Sequence, residues 1–456
     1  MRRKKVCSFL LLLLACMLLL PPDSGAAEPA AAAQTERVLL LYDSLGIGTK
    51  AEGNVAAMER LLAAYRAQVT SLSLEQFKRG MMETYGKVIV VINASDLAVS
   101  NETFLAAIRS YKGGYLHIGE NEPFRQADVH VPVFEKGIVN EARMAETLRT
   151  WLDVKLPGRT FALVKDIYPF SDLQLLQNMA DRLYDAGIPF IASVQPVFSN
   201  TDFPAMKRYL SALQYVQSRN GSIIVNAPVV QATPGLNGQT LQARMESFIA
   251  VLAENRIAPL GIGAELYWTY DTVFANSGMR FFDSAVLYPD VSPLHIERTN
   301  TSRTFVSSLY SVRLDDLAKR GEIGGQSQTF LTDTAVTFDF TDDKELLAKN
   351  LKALVGTRIA FDDYKEYRHE VRSSSHTIVS LNAAVSIDGK MVHEQEGSDP
   401  VKDDYKYQEE VQKSFTTLFS VQNRIFIVII AATLVIFGCF LLIGRRLYLR
   451  KFKIRG

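Results

Sequence analysis

The segment GAELYWTYD, at positions 263–271, combines a carboxylate with large aromatic side chains. It follows an apolar run at 260–262 that is typical of a buried strand, and loops after such strands often carry ligand-binding residues. Aromatic faces with polar edges suit the apolar faces and hydroxyl groups of sugar rings. The pattern predicts a carbohydrate-binding surface in which Tyr267 and Trp268 stack on sugar and Glu265 accepts hydrogen bonds. The alternative is that Trp268 and the tyrosines pack against the wall of the fold.

Polar residues also follow two other apolar runs. Lys165 and Asp166 come after the run at 161–164, and Asn226 comes after the run at 223–225. An ammonium group beside a carboxylate favours the ionised carboxylate. We therefore predict that Lys165, Asp166 and Asn226 belong to the same substrate-binding site as Glu265. The alternative for Lys165 is a solvated side chain that points away from the site, because neighbouring strand residues face opposite sides.

The elements that must position these residues alternate between strands and helices. Short apolar runs between 158 and 372 are separated by stretches with helical spacing, such as 173–183. This order predicts a full or partial β/α barrel, whose ligand site would lie at the carboxyl ends of the strands. The predicted strands are 161–164, 190–194, 223–225, 260–262, 284–287, 335–340 and 358–361.

Three stretches of this region resemble the divergent polysaccharide deacetylase family of exported bacterial proteins, which is associated with exopolysaccharide production. They read FALVKDIYPFSDLQLLQNMADRLYDAGIPFIASVQPVF at 161–198, GSIIVNAPVV at 221–230 and TAVTFDF at 334–340. The resemblance covers 158–372 and depends on the order and spacing of these stretches. It implies a deacetylase-like barrel.

The same resemblance implies that the catalytic residues are substituted. Active members carry an Asp-Asp pair after the first strand, with the first Asp as base and the second as metal ligand, where this chain has Lys165 and Asp166. Their metal-binding histidines after the third strand fall on Asn226 and Val230, and a late His-bearing strand falls on 338–340. The histidines of the chain are His117, His130, His295, His369, His376 and His393. A zinc site needs about three protein ligands, usually with imidazoles among them. We expect no catalytic residues, no metal and no cofactor.

Residues 36–153 predict a smaller, doubly wound α/β domain with a mostly parallel sheet, whose strongest strands are 38–42, 88–92 and 115–118. The loop at 43–54, with Gly46, Gly48 and Gly53 at its turns, lies where open sheets bind ligands, but it lacks the Gly-Lys-Ser/Thr of a phosphate-binding loop. The arrangement loosely resembles glutamine-amidotransferase-like domains. Such enzymes carry a nucleophilic cysteine at the turn that reads HIGE here, at 117–120, so we expect a non-catalytic module.

The two ends predict export and membrane attachment. Residues 1–27 combine a basic start, an apolar run at 9–20 and small residues before a cleavage point near Ala26 or Ala27, the pattern of a signal peptide. The alternative is lipid attachment at Cys16. Residues 425–444 carry no charge and are long enough to span a ~30 Å hydrocarbon core. The basic tail at 445–456 predicts a cytoplasmic C-terminus.

Residues 28–424 are then expected to lie outside the cell membrane. They contain no cysteine, so no disulfide holds them together. Within them, 373–424 reads as a hairpin around Asp388-Gly389, followed by an exposed stalk. Apart from 1–27 and 425–456, the chain has 40 Lys and Arg against 48 Asp and Glu, which argues against nucleic acid as a partner.

These patterns predict a single-pass bacterial cell-surface protein with a catalytically degenerate barrel. Its expected partners are the membrane and an exopolysaccharide or cell-wall glycan, with proteins of exopolysaccharide synthesis or export as further partners. Two alternatives stay open. One is an active deacetylase or glycan hydrolase with rearranged ligands, including an all-oxygen cation site from Asp166, Glu265 and Asp283. The other is a purely structural partner in a membrane export complex.

Overall fold

The computed structural model describes residues 35–94, 101–155, 157–228, 238–290, 299–317, 331–357, 359–392 and, apart from 428, 435 and 439, residues 426–446. The chain divides into two compact units, Met1–Pro400 and Val401–Gly456. The predicted signal peptide at 1–27, Cys16, Val230, the stalk beyond 392 and the tail beyond 446 lie outside the described residues.

The first unit begins with a five-stranded parallel sheet in the order β2-β1-β3-β4-β5. The strands are β1 (Arg37–Tyr42), β2 (Gln68–Ser73), β3 (Lys87–Val91), β4 (Gly114–Ile118) and β5 (Val129–Val131). Helices α1 (Asn54–Ala64), α2 (Glu102–Ser110) and α3 (Ile138–Trp151) connect or follow them. The strands are nearly continuous apolar runs, as expected for a parallel sheet covered on both faces.

Successive residues of β1 and β3 alternate between two apolar clusters. Leu39, Leu41 and Val88 belong to a cluster on one face of the sheet. Val38 and Leu40 belong to the cluster on the other face, which is continuous with the core of the next part of the chain. The sheet therefore packs through one face onto the rest of the first unit.

The predicted β/α barrel is confirmed as a closed, seven-stranded parallel barrel in the order β10-β11-β12-β6-β7-β8-β9. Its strands are β6 (Thr160–Ile167), β7 (Phe190–Val194), β8 (Gly221–Asn226), β9 (Pro259–Glu265), β10 (Ser284–Tyr288), β11 (Ser307–Arg313) and β12 (Thr334–Asp339). Its helices include α4 (Leu173–Asp185), α5 (Pro204–Ser218), α6 (Gly238–Glu254) and α7 (Lys344–Gly356). Because all seven strands are parallel, their carboxyl ends meet at one end of the barrel.

One predicted strand is wrong, and one barrel strand was not predicted. Residues 359–361 form no strand, and the segment instead crosses the amino end of the barrel, where the Asp362 amide donates a hydrogen bond to the Thr160 carbonyl oxygen over 2.8 Å. The barrel strand that was not predicted is β11, whose sequence SSLYSVR contains several serines and few large apolar residues. Its apolar signal is therefore weak, although the strand is buried between two neighbours.

A four-stranded antiparallel sheet follows the barrel. It consists of β13 (His369–Arg372), β14 (Thr377–Leu381), β15 (Ala384–Ile387) and β16 (Lys390–Met391). Asp388 and Gly389 join the last two strands with φ values of 52° and 74°, as a tight hairpin turn requires. The imidazole of His369 contacts the Ser284 hydroxyl at the start of β10, so this sheet lies at the amino end of the barrel.

The second unit contains a helix, Ile429–Arg446, that is long and apolar enough to cross a membrane, with a mean hydropathy of 1.9. It overlaps the predicted span and extends two residues beyond it. By length and composition it is a candidate transmembrane helix.

Candidate functional site

A cavity of about 950 Å³ opens at the carboxyl end of the barrel. Its lining comes from the last residues of the barrel strands and the loops after them, together with Arg60 and residues 136–141 from the N-terminal sheet region. The six residues predicted to bind substrate all contribute to this lining: Lys165, Asp166, Asn226, Glu265, Tyr267 and Trp268. The barrel therefore brings them together.

An irregular point of β6 positions Lys165 and Asp166. The φ of Asp166 is +59°, and the pairing of β6 with β7 changes register between Val164 and Ile167. This bulge breaks the alternation of strand faces, so both residues line the cavity. The alternative in which Lys165 points away from the site is therefore not supported. A positive φ in a residue with a Cβ atom is strained, and such strain concentrates at functional sites.

Lys165 pairs with a carboxylate other than its neighbour. Its Nζ lies 3.7 Å from Oδ1 of Asp339, at the end of β12, and 4.5 Å from the centre of the Tyr288 ring. Arg313 Nη1 lies 3.5 Å from the second oxygen of Asp339. A lysine and an arginine thus share one carboxylate beside the cavity.

The Asp166 carboxyl is half-buried, and Gln195 Nε2 donates to its Oδ1 over 3.5 Å. Burial raises the pKa of Asp166, the Lys165 ammonium opposes this rise, and the Asp339 carboxylate adds to it. The expected neutralisation by Lys165 is therefore partial. A carboxyl of this kind can accept hydrogen bonds when ionised and donate one when protonated.

Asn226 takes part in a hydrogen-bonded chain within the barrel. The Tyr288 hydroxyl donates to Ser193 Oγ over 3.3 Å, and the Ser193 hydroxyl donates to Asn226 Oδ1 over 3.2 Å. A Cβ atom at Gly263 would lie 2.4 Å from the Tyr288 hydroxyl oxygen, so this approach depends on glycine. These two hydrogen bonds fix the Asn226 amide at the cavity surface.

The aromatic segment after β9 divides between cavity and core. The Tyr267 amide donates to Asp290 Oδ1 over 3.0 Å, which anchors the loop, and burial raises the pKa of the Tyr267 hydroxyl to about 12. Trp268 is only 1% exposed and stacks on Phe274, with ring centres 4.7 Å apart. A Cβ atom at Gly278 would lie 2.5 Å from the Trp268 ring. This packing favours the interpretation of Trp268 as a wall residue.

A stacked aromatic pair lies at the cavity and was not predicted. The rings of Tyr168 and Phe170 are 4.9 Å apart and inclined by 21°. Tyr168 lines the cavity, and Phe170 is 78% exposed. Burial raises the pKa of Tyr168, and the carboxylates of Asp166 and Asp339 raise it further. The sequence signal is the tripeptide Tyr-Pro-Phe directly after β6.

The N-terminal sheet region supplies the second wall of the cavity. Arg60, on α1, is buried, and its Nη2 donates to the Ser311 carbonyl oxygen over 2.9 Å. Its guanidinium lies 4.2 Å from the centre of the Tyr310 ring, and the Tyr310 hydroxyl donates to the Glu141 carboxylate at the start of α3. These contacts hold Arg60 and Glu141 beside β11. Nothing in the sequence pattern linked these distant segments.

Within the described residues, no group of three or more His, Cys, Asp or Glu side chains is arranged to hold a metal ion. No family model and no curated protein sequence matches this chain. Solved structures that resemble it include the glycoside hydrolase family 30 subfamily 8 xylanase Xyn30A from Clostridium acetobutylicum, at 12% identity over 51% of this chain and 80% of that one, with a TM-score of 0.30. Another is a xylose isomerase domain protein from Planctomyces limnophilus, at 13% identity over 56% and 91%, with a TM-score of 0.16. Likeness at this level carries no inference about activity.

Proposed function

We propose that the protein is a membrane-anchored, extracytoplasmic glycan-binding protein whose deacetylase-like barrel no longer deacetylates. The observation that carries this proposal is the lining of the large cavity at the carboxyl end of the barrel. It combines carboxylates, amides and hydroxyl groups with the aromatic ring of Tyr267, and sugars present both hydroxyl groups and apolar ring faces.

The charges of the lining support a polar ligand with little net charge. Acidic and basic side chains occur in nearly equal number. The acidic ones are Glu141, Asp166, Glu265, Asp290 and Asp316, and the basic ones are Arg60, Lys136, Lys165 and Arg313. A nucleic acid or a polyphosphate requires a strong excess of positive charge, whereas a saccharide does not. The glycan forms hydrogen bonds with Asp166, Asn226 and Glu265 in this proposal.

Lys165 supports the absence of deacetylation. By its resemblance to the deacetylase family, Lys165 stands where active members carry their base. Its ammonium is held beside Asp339 and over the Tyr288 ring, and a protonated lysine held by a carboxylate cannot accept a proton. The position therefore serves binding rather than proton abstraction.

The ends of the chain support the location. The predicted signal peptide, the candidate membrane helix and the basic residues after it support the proposal that the barrel lies outside the membrane and the C-terminus in the cytoplasm. At that surface a barrel of this kind would hold an exopolysaccharide or a cell-wall glycan for the proteins that synthesise or export it.

The test is binding by the full chain in detergent micelles to surface polysaccharide purified from the source strain. We expect saturable binding, weakened about tenfold by Asp166→Asn because a charged acceptor is lost. The matched control is Asp185→Asn, on the exposed end of α4, which should bind as the wild type does. No binding by the wild type, or equal loss in both variants, would overturn the proposal.

The raised pKa of Asp166 favours one second candidate, an active glycan hydrolase or deacetylase with rearranged residues. A general acid requires a carboxyl whose pKa is raised above its ordinary value, and burial raises that of Asp166. Release of acetate or of new reducing ends from the same polysaccharide, abolished by Asp166→Asn, would establish this candidate in place of the binding protein.

A further inference from the structure

The stacked pair of Tyr168 and Phe170 leads from the cavity into solvent. Tyr168 follows β6 directly and lines the cavity, while Phe170 is 78% exposed two residues later. Their rings are nearly parallel, with centres 4.9 Å apart, so the far face of Phe170 is presented outward. Exposed large apolar side chains are common singly, but Phe170 stacks on a residue that lines a polar cavity, so its exposed face lies next to polar binding groups.

The pair is joined electrostatically to the polar site. Asp166 and Tyr168 are two residues apart and both line the cavity. Burial raises the pKa of the Tyr168 hydroxyl, and the carboxylates of Asp166 and Asp339 raise it further. The apolar surface therefore continues directly from the hydrogen-bonding groups. A ligand that contacts both must be polar at one position and offer a flat apolar face at the next.

We propose that Tyr168 and Phe170 form a second saccharide subsite, which stacks on the ring that follows the one held in the cavity. This inference rests on the proposed function and makes its substrate class narrower: the ligand is a linear oligosaccharide or polysaccharide rather than a free monosaccharide. A chain of sugar rings presents hydroxyl edges and apolar faces in turn. The protein presents the polar group of Asp166 and then the apolar ring face of Phe170, so one ligand of this kind can contact both.

The chain-length dependence of binding tests the subsite. The probes are the constituent monosaccharide of the surface polysaccharide of the source strain and size-fractionated oligosaccharides obtained from it by partial acid hydrolysis. The full chain in detergent should bind oligosaccharides more tightly than the monosaccharide. Phe170→Ala should weaken oligosaccharide binding about tenfold and leave monosaccharide binding unchanged, so the higher affinity for oligosaccharides should disappear. Phe170→Trp should keep this higher affinity, because it retains an aromatic ring.

The matched control is Phe203→Ala, which removes another exposed phenylalanine, 56% exposed, from the loop after β7. It should bind both probes as the wild type does. If the wild type binds neither probe, the proposed function fails and the subsite with it. If the wild type binds both and Phe170→Ala retains the gain with chain length, the subsite alone is overturned.

An exposed phenylalanine in a membrane-anchored chain could instead insert into lipid. The Phe170→Trp variant distinguishes stacking on a sugar ring from insertion into lipid. The native tryptophans, Trp151 and Trp268, are buried, so the added fluorescence reports position 170. We expect this signal to change with oligosaccharide and to be insensitive to spin-labelled lipid in proteoliposomes. Quenching by that lipid without a response to oligosaccharide would overturn the subsite in favour of membrane contact.

Discussion

The guanidinium of Arg60 donates a hydrogen bond to the carbonyl oxygen of Ser311 over 2.9 Å. One residue lies on the first helix of the N-terminal sheet region and the other lies on a barrel strand, so this bond crosses between the two parts of the first unit. The same guanidinium covers the Tyr310 ring. Both residues, Arg60 and Ser311, line the cavity, so the packing of the two parts also shapes the binding site.

Replacing Arg60 with alanine should destabilise the protein. The change removes a buried charge-assisted hydrogen bond and a cation-π contact, which together contribute about 2–3 kcal/mol to the free energy of unfolding. The control is Arg66→Ala just beyond the same helix, because Arg66 is half-exposed and pairs with Asp333 over 3.6 Å. A surface pair of that kind contributes about 1 kcal/mol or less. Thermal denaturation of the full chain measures both, and equal shifts would contradict the assigned role of Arg60.

Trp268→Ala should lower the free energy of unfolding. Truncating a buried aromatic side chain typically costs about 3–5 kcal/mol, because a cavity is left behind. Phe170→Ala, at an exposed ring, is the control and should leave the melting temperature nearly unchanged. If Trp268→Ala instead weakens glycan binding with no loss of stability, then Trp268 contacts the ligand as the sequence first suggested.

Stability should fall in mild acid because of His369. Burial lowers its pKa to about 4, below the ordinary value near 6.5. Between those values the unfolded chain takes up a proton that the folded protein resists, so the free energy of unfolding decreases as pH falls from about 6.5 to 4, by roughly 3 kcal/mol. The contribution is fully present above that range.

Melting temperatures of the wild type and His369→Gln across this range provide the measurement. The variant should lose the part of the decline that is due to the imidazole. Burial raises the pKa of the neighbouring Asp283, which gives a slope of opposite sign, but this contribution is shared by both proteins and cancels in the comparison. Parallel curves for the two proteins would contradict the prediction.

The predicted topology is testable on intact protoplasts. The basic residues at both ends favour the cytoplasmic side, so added protease should digest the region 28–424. An epitope on the tail at 445–456 serves as the control and should be protected until the membrane is dissolved. Protection of the large region as well would refute the extracytoplasmic location and with it the proposed role at the cell surface.

The sequence predicted the barrel from local periodicity. Each buried strand such as 190–194 is an apolar run by itself, so no knowledge of its neighbours was needed. The prediction failed where local composition and pairing disagree. The serines of β11 hide a strand that two neighbours bury, and the apolar residues at 359–361 pack across the barrel end without pairing.

The sequence was enough to predict that Asp166, Asn226 and Glu265 lie near one another, because each follows a strand and the carboxyl ends of parallel strands converge at one end of the barrel. Which side chains face the cavity depended on tertiary packing. The bulge at Asp166 turned Lys165 inward, and the contact with Phe274 placed Trp268 in the wall. Such choices depend on side chains packed from distant parts of the chain, whose contacts leave no periodic pattern in the local sequence.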